Sequence, residues 1–382
     1  MKIGIVTYWK SSNNYGEQLQ NFALQEYLKG LGHDPFLIRY DYENDTIYGS
    51  KPLHIRLLRA CNPNRLIKYF KSRSDNKKRV RDNLLHPRGF EDFRNRYLSM
   101  SRVYSSIEDL RSDPPEAEMY ITGSDQVWNT FEGSFSEMKN RISTFFLDFG
   151  KQGVKKISYA ASWGRSSVPE DEAEMIKPLL ARFDAVSVRE ESGVDLCRRL
   201  GRGDAVMALD PVLLHDAEVY RKLYRGSSAN KPDGKYVFFY FMNNDGAYDR
   251  KAVFDWAESK GLKVVYVTDD WHDGLEKTYP GVREWLELLD NSECVVTNSF
   301  HCSVLSVIFG KRFGVIKRFG HYSGMNTRMD SLFCVLGISP RYIDDEGFEI
   351  LERPAENESI MRNNDVMTPE KVLEMAMTKG DS

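Results

Sequence analysis

A histidine near residue 300 lies at the boundary between a predicted strand and a predicted helix. Residues 294–296 form an apolar run typical of a buried strand, and residues 303–309, closed by Gly310, have helical character. His301 lies between them, where backbone N–H groups lack partners and the helix dipole is positive. A histidine beside such an anion site is suited to phosphate release or proton transfer.

Four other polar clusters follow predicted strands. The carboxyl ends of parallel strands meet at one edge of a sheet, where the active sites of such proteins lie. We therefore expect the clusters to line the same cleft as His301. They are Asn13-Asn14-Tyr15-Gly16, Thr122-Gly123-Ser124-Asp125-Gln126, Ser162-Trp163-Gly164 and Arg189-Glu190-Glu191.

The elements that position these clusters alternate between strand and helix. Strand 3–8, helix 17–31 and strand 36–40 form a βαβ unit, which implies a parallel sheet. Residues 226–235 are rich in Gly, Ser, Asn, Lys and Pro, which predicts a linker. Further strands are predicted at 119–122, 157–161, 185–188, 206–209, 236–242, 264–268, 294–297 and 313–316, and further helices at 171–183, 191–200, 248–260, 282–289, 303–309, 327–336 and 366–378.

This pattern predicts an α/β protein with two domains that face each other across a cleft. The first domain is predicted at 1–225, with a basic helical insertion near 51–102. The second is predicted at 236–345, and 346–382 form a tail with a final helix. The length of 382 residues is sufficient for two domains.

The charge is unevenly distributed. The net charge is −3, yet residues 51–102 contain fifteen Lys and Arg against four Asp and Glu, so the remainder carries −14. One or two amphipathic helices are predicted in this segment. Such helices bind an anionic membrane or simply expose a solvated face, and the second interpretation takes the larger share. No nucleic-acid-binding motif is present.

The sequence gives no support for a zinc-binding, disulfide-rich, secreted or membrane-spanning protein. The five cysteines are scattered without a CxxC pair, which is typical of a reducing cytosol and favours neither a zinc site nor a disulfide framework. The first residues turn polar too soon for a signal peptide, and no apolar run approaches the length of a membrane span. We therefore expect a cytoplasmic protein, with the inner face of the membrane as a candidate location.

Six segments in this order resemble the polysaccharide pyruvyl transferase family, and the resemblance covers about residues 1–340. It implies a fold similar to B-type glycosyltransferases, with two Rossmann-like domains, 1–225 on the acceptor side and 236–345 on the donor side. It also implies transfer of pyruvate from phosphoenolpyruvate to two hydroxyls of a sugar, which gives a cyclic ketal. The segments are NNYGEQLQNFALQEYLKGLGH, ITGSDQVWN, SYAAS, SVREESG, LDPVLL and TNSFHCSVLSVIFGK.

The resemblance also implies roles for individual residues. His301 matches the family's proposed general acid, Asp125 matches an acidic residue of the first domain, and Arg189 matches a basic one. Many members carry an arginine two residues before the histidine, where this chain has Ser299. Another cation must then bind the donor, or the donor differs. The nearest candidates are Lys317, Arg318 and Arg328.

Each role has a simpler structural alternative. Asp125 could serve only in an Asx turn or as a helix cap, Arg189 could pair with Glu190 or Glu191 at the surface, and Gly16 could supply a tight turn with positive φ. Trp128, Trp163 and Trp285 are predicted to pack in the interior rather than bind sugar.

We expect three groups of site residues and no metal. The catalytic group is His301, Asp125 and Arg189; the donor-binding group is Asn298, Ser299, Phe300, Lys317, Arg318, Asn326 and Arg328; the acceptor or cleft-lining group is Asn14, Tyr15, Gly16, Ser124, Gln126 and Ser162.

The expected function is a pyruvyl transferase in the biosynthesis of a cell-surface polysaccharide such as an exopolysaccharide or capsule. Its expected partners are phosphoenolpyruvate as co-substrate, with no other cofactor, and a saccharide or lipid-linked saccharide acceptor. A glycosyltransferase that uses a nucleotide sugar, and a non-catalytic glycan-assembly protein on the same fold, stay open as alternatives.

Overall fold

The first sheet contains seven parallel strands and forms one half of the molecule. A computed structural model describes residues 1–41, 81–129, 135–242, 248–269, 273–320, 326–354 and 367–378. The strands of this sheet are β1 Lys2–Val6, β2 Asp34–Tyr40, β3 Met100–Tyr104, β4 Met119–Thr122, β5 Lys155–Ala161, β6 Ala185–Val188 and β7 Val206–Met207. Their order is β3-β2-β1-β4-β5-β6-β7. The direction of winding reverses between β1 and β4, which opens a crevice beyond their carboxyl ends.

The second sheet contains four parallel strands, β8 Tyr236–Phe241, β9 Lys263–Thr268, β10 Cys294–Thr297 and β11 Arg312–Val315. Their order is β11-β10-β8-β9, so its crevice opens between β8 and β10. All six residues of β8 are buried, as expected for a parallel strand covered on both faces. The two sheets thus supply two crevices formed in the same way.

Helices connect the strands and cover both sheets. They are α1 Tyr15–Gly30, α2 Phe90–Tyr97, α3 Ile107–Ser112, α4 Phe135–Phe145, α5 Glu170–Leu180, α6 Glu191–Arg199, α7 Ala217–Tyr224, α8 Lys251–Ser259, α9 Val282–Asp290, α10 Phe300–Ile308, α11 Asn326–Leu336, α12 Ile343–Glu346 and α13 Pro369–Thr378. Short 3-10 turns follow at Pro211–Leu214 and Gly347–Leu351. In the part of the chain described here, no helix is both long and apolar enough to cross a bilayer.

An aromatic cluster joins the two halves. Tyr15 at the start of α1 stacks on Trp285 of α9, with 5.1 Å between ring centroids and 15° between ring planes. The Tyr15 hydroxyl donates to the Pro280 carbonyl at 2.7 Å. Tyr240 of β8 and Phe90 of α2 pack on the same ring. Buried aromatic contacts of this kind stabilise the packing of the halves and fix the geometry of the cleft.

The final helix returns to the first sheet. Val372, Leu373 and Ala376 of α13 lie in the same apolar cluster as Ile157 and Ala185 of β5 and β6. The helix starts at Pro369, as the Thr368-Pro369 pair predicted. The tail therefore completes the core of the first half.

The structure corrects the predicted character of the basic segment. Its residues 51–80 lie outside the described part of the chain, and 90–97 are helical as predicted. The prediction of helix is wrong at residues 100–102, which belong to edge strand β3 beside β2. The Ser101 hydroxyl accepts a hydrogen bond from the Arg39 backbone N–H at 3.0 Å. A short, polar edge strand with two exposed residues gives no strong periodic signal.

Candidate active site

His301 lies where the two crevices meet. The Ser299 side chain caps the amino end of α10 by accepting from the Cys302 N–H, so the helix begins three residues earlier than predicted. His301 is then in its first turn and is only 7% exposed. Its Nε2 lies 3.4 Å from a carboxylate oxygen of Asp210, which belongs to the first half. The imidazole therefore bridges the two halves, as its place in the sequence predicted.

Gly16 allows this histidine to approach α1. A Cβ atom at Gly16 would lie 2.3 Å from the His301 Nδ1 and 2.6 Å from its Cγ, closer than side-chain atoms pack. Gly16 is not among the glycines with positive φ, so the turn interpretation of this residue is wrong. The glycine is needed for the close approach of backbone to an imidazole ring.

Asp210 is a site residue that the sequence analysis missed. It is fully buried and accepts hydrogen bonds from Arg189 Nη1 at 2.7 Å and from the Ser124 hydroxyl at 3.3 Å. Burial opposes its ionisation, but the charges of His301 and Arg189 outweigh burial and hold its pKa well below the usual range. The signal that could have found it is an aspartate three residues after the end of β7, directly after the predicted strand 206–209 and followed by Pro211.

Arg189 follows strand β6 and lies inside the site. It is 5% exposed and also donates from Nη1 to the Ser124 carbonyl at 2.9 Å. The surface pairing with Glu190 or Glu191 is therefore wrong, because the partner of Arg189 is Asp210. Its Nε and Nη2 are buried without a hydrogen-bond partner among the described residues. Unused buried donors of this kind are costly unless a ligand completes them.

Arg328 of α11 approaches the same place from the second half. The guanidinium groups of Arg189 and Arg328 lie 4.6 and 5.8 Å from the ring centroid of Phe300. Arg328 is 7% exposed, and its Nε has no partner in the described chain. Burial lowers its pKa to about 9, with a further decrease from the charge of Arg189. An anion between the two arginines would relieve both effects.

Asp125 and Gln126 lie on the other side of this cluster. Asp125 Oδ1 accepts from the backbone N–H of Gln126 at 2.7 Å, which is one residue on and not the two residues of an Asx turn. In the amide orientation that satisfies its neighbours, the Gln126 side-chain oxygen accepts from Arg328 at 2.5 and 2.8 Å. The backbone N–H of Ser162 donates to the Asp125 carbonyl at 2.9 Å. The catalytic role of Asp125 stays a prediction.

The residues predicted to bind the donor divide into two sets. Asn298 exchanges hydrogen bonds with the backbone of Met242, and its carbonyl accepts from Arg318 Nε at 3.0 Å. Asn326 binds the Arg318 backbone. Lys317 instead binds Asp345 at 2.6 Å. Asn298, Arg318 and Asn326 therefore shape the loops at the cleft, whereas the charge of Lys317 is already paired.

The loop after β1 supplies a helix-capping residue and a buried aromatic residue. Asn14 caps α1 by accepting from the Glu17 N–H at 3.3 Å. Tyr15 is completely buried between the halves, so its ring packs in the core instead of lining an open cleft. Trp128, Trp163 and Trp285 are also fully buried, which confirms that they are packing residues.

Glu17 is a buried carboxylate beside this loop. Its Oε1 accepts from the Ser11 N–H at 2.8 Å and from Gln18 Nε2 at 3.1 Å. Burial and the negative charge of Asp125 raise its pKa to about 8. No cluster of three or more His, Cys, Asp or Glu residues suited to a metal occurs within the residues that the structure describes.

The architecture defines the class of protein. Two Rossmann-like domains with their sheet crevices facing each other form the arrangement of the B-type glycosyltransferase fold. UDP-N-acetylglucosamine 2-epimerases share it: one from Rickettsia bellii has a TM-score of 0.53 at 9% identity over 99% of this chain and 96% of that chain. Another has a TM-score of 0.50 at 9% identity over 100% and 94%. At this identity the likeness shows the fold alone.

The sequence identifies the family within that class. Residues 14–318 match the model of the polysaccharide pyruvyl transferase family. The chain therefore belongs to the polysaccharide pyruvyl transferase family, which is a family of transferases. No curated protein matches the chain in sequence.

Proposed function

We propose that this protein transfers pyruvate from phosphoenolpyruvate to two hydroxyls of a saccharide that is built into a cell-surface polysaccharide. The observation that carries the proposal is the meeting of His301, Arg189 and Arg328 around Phe300, with an imidazole and unused guanidinium N–H groups drawn from both halves. Membership of the family supports the transferase class. The donor and the ketal product are the parts that need a test.

The two arginines suit a donor with two anionic groups. Phosphoenolpyruvate carries a phosphate and a carboxylate, and guanidinium groups bind such groups by two-point contacts. Arg328 supplies the second cation in a chain that has Ser299 before the histidine. Its guanidinium lies over the Phe300 ring with that of Arg189. Both arginines can therefore act on one small ligand.

His301 and Asp210 suit the proton transfers. Protonation of the methylene carbon of the donor creates an oxocarbenium-like centre, which a sugar hydroxyl attacks. A second hydroxyl then displaces phosphate. The His301 Nε2 lies 3.4 Å from an Asp210 carboxylate oxygen, which positions the ring at the cleft. His301 thus serves as general acid, with Asp210 holding the ring in place.

The test combines purified protein, phosphoenolpyruvate and galactosides or mannosides with free hydroxyl pairs. We expect phosphate release together with pyruvate linked to the sugar, detected by mass spectrometry. His301→Ala should lower the rate by ~10²–10⁴-fold. His33→Ala is the matched control, because His33 precedes β2 at the opposite edge of the first sheet and its loss should leave the rate unchanged.

Two results would contradict the proposal. Phosphate release without sugar-linked pyruvate would exclude transfer, and an undiminished rate in His301→Ala would exclude the acid. Calorimetry provides a further arm: binding of a nucleotide sugar and not of phosphoenolpyruvate would favour a glycosyltransferase on this fold.

A further inference from the structure

Glu190 is a buried carboxylate to which the proposed reaction gives no role. It follows Arg189 at the end of β6 and is 2% exposed. One oxygen, Oε1, accepts from the backbone N–H groups of Trp163 at 2.6 Å and Gly164 at 3.0 Å. It also accepts from the Ser162 hydroxyl at 3.2 Å. The carboxylate is therefore held in one orientation by a complete set of donors on one side.

An irregularity in strand β5 brings these donors to Glu190. The pairing of β5 with β6 shifts register between Ser158 and Ala161, and Ala160 has a φ of 50°, which is unusual for a residue with a side chain. A shift of this kind bends the strand and redirects the residues that follow it. The loop at 162–164 is thereby turned toward β6. Backbone strain at a buried position is tolerated where the surroundings hold it in place.

The other oxygen of Glu190 has no such partners. Its Oε2 is buried and makes no hydrogen bond to any described residue. Glu190 lines a pocket together with Arg189, Asp210, Phe300 and Arg328, and apolar side chains of α11 close its far wall. The pocket spans about 320 Å³ of non-atom space, a volume that includes open solvent.

The buried polar atoms of this pocket that lack a hydrogen bond indicate which chemical groups its ligand carries. Arg189 Nε and Nη2 and Arg328 Nε are free to donate, and Glu190 Oε2 is free to accept. A simple anion would satisfy the arginines and leave Glu190 Oε2 buried without a hydrogen bond, which is unfavourable. An anion with a hydroxyl beside it would satisfy all four atoms. The pocket therefore matches a ligand set that contains both groups.

We propose that Glu190 Oε2 binds the hydroxyl that attacks the anionic ligand and takes up its proton. This inference rests on the proposed function, in which the hydroxyl belongs to the saccharide. As the hydroxyl oxygen bonds to C2 of the donor, its proton moves to Glu190 while His301 gives a proton to the methylene carbon. The second hydroxyl then bonds to C2, the C2–O bond to phosphate breaks, and phosphate leaves with the electron pair and the second proton. Exchange with water restores Glu190 and His301.

The test is Glu190→Gln, which keeps an oxygen for the three donors and replaces Oε2 with an NH₂ group. We expect pyruvyl transfer to fall at least 100-fold while the Kd for phosphoenolpyruvate changes less than threefold. Thermal unfolding should show an intact fold. Glu191→Gln is the matched control, because Glu191 is the exposed neighbour and should match the wild type.

Two outcomes of this experiment would overturn the inference. If the Glu190→Gln variant keeps more than a third of the wild-type rate, the reaction does not use Glu190 as a base and the inference is wrong. A parallel loss of donor affinity and rate would assign Glu190 to donor binding or to holding the 162–164 loop. Asp125→Asn, measured beside it, tells which of the two carboxylates serves the hydroxyl.

A second arm keeps the inference testable if the wild type transfers no pyruvate and the proposed function fails. Calorimetry with 3-phosphoglycerate and 2-phosphoglycolate compares two anions of the same kind, one of which carries a hydroxyl. The wild type should prefer the hydroxylated ligand by at least tenfold, and Glu190→Gln should abolish the preference. Equal affinities in the wild type would refute the role of Glu190 whatever the reaction.

Discussion

Two buried charge clusters in this protein differ in how completely their hydrogen bonds are used. In the second half, Asp273 accepts from Arg250 at 2.9 Å, from Lys277 at 2.7 Å and from the Tyr266 hydroxyl at 2.7 Å. Its Oδ1 also accepts from the Leu275 N–H at 3.2 Å. Among the described residues, none of the buried side-chain atoms of this cluster lacks a partner.

The cluster around Asp210 also contains a buried pair of aspartate and arginine but is left incomplete. Arg189 uses Nη1 alone, and Arg328, Glu190 and His301 each have a buried polar atom without a hydrogen bond in the described chain. A cluster in which every buried polar atom is hydrogen-bonded stabilises the fold. An incomplete cluster lowers the stability, and a ligand that supplies the missing hydrogen bonds raises it again. The contrast distinguishes charged residues that stabilise the fold from charged residues that are available to a ligand.

The largest expected effect comes from removing one arginine of each cluster. Arg328→Met should lower pyruvyl transfer by ~10²–10³-fold, because the donor loses a buried cation. It should leave the free energy of unfolding unchanged or raise it slightly, since a poorly solvated charge disappears. Arg250→Met should lower that free energy by about 3 kcal/mol, because Asp273 loses a buried partner. Urea unfolding and initial rates measure both.

The comparison would break if the two variants behaved alike. Equal destabilisation by Arg328→Met and Arg250→Met would mean that the cleft arginine is as structural as the other one. A fully active Arg328→Met variant would remove it from the donor site.

A smaller effect is expected at the glycine that lets His301 reach Asp210. Gly16→Ala should destabilise the protein by about 2–3 kcal/mol through overpacking, and it should lower transfer because the imidazole is displaced. Gly30→Ala is the control within the same helix, since nothing lies within 4 Å of its added methyl and Ala favours a helix by ~1 kcal/mol over Gly. Thermal unfolding should therefore move in opposite directions, and a Gly16→Ala variant with wild-type stability would show that the histidine is not held against α1.

Much of the fold could be predicted because buried parallel strands have a clear apolar pattern. The bounds of β4, β6 and β10 match the predictions at 119–122, 185–188 and 294–297. Edge strand β3 and helices α3 and α4 were missed, because their pattern is polar or irregular. Local sequence specifies burial well where both faces are covered and poorly at an edge.

The sequence predicted which residues belong to the site but not which side chains pair with each other. His301, Arg189 and Arg328 were singled out from the sequence, and the structure brings all three to the Phe300 ring or to Asp210. Asp210 was missed because its role depends on two residues that are distant in sequence. Arg189 lies 21 positions before it and His301 lies 91 positions after it. Contacts of this kind are set by the order of strands in the sheets, which residue spacing does not encode.

The smallest expected effect distinguishes the Asp273 cluster from Glu17, the buried carboxylate beside the cleft, by the pH dependence of stability. The pKa of Glu17 is raised to about 8, so the native state keeps a proton that the unfolded chain releases near its ordinary pKa. Stability should then fall as pH rises from about 4.5 to about 8. The pKa of Asp273 is lowered: burial raises it, but Lys277, Tyr266 and Arg250 outweigh burial. Its contribution is present above the unfolded pKa and is lost only as pH falls below it.

Of these two carboxylates, only Glu17 should therefore titrate between pH 5 and 7. Over this range the free energy of unfolding of the wild type should fall by about 1–2 kcal/mol relative to Glu17→Gln, below the limit of ~1.4 kcal/mol per pH unit. The difference between the wild type and Asp273→Asn should stay constant. Urea unfolding at pH 5, 6 and 7 measures both differences. A constant difference for Glu17→Gln would mean that Glu17 is ionised in the native protein, so that the cleft, like the Asp273 cluster, already compensates its buried charges.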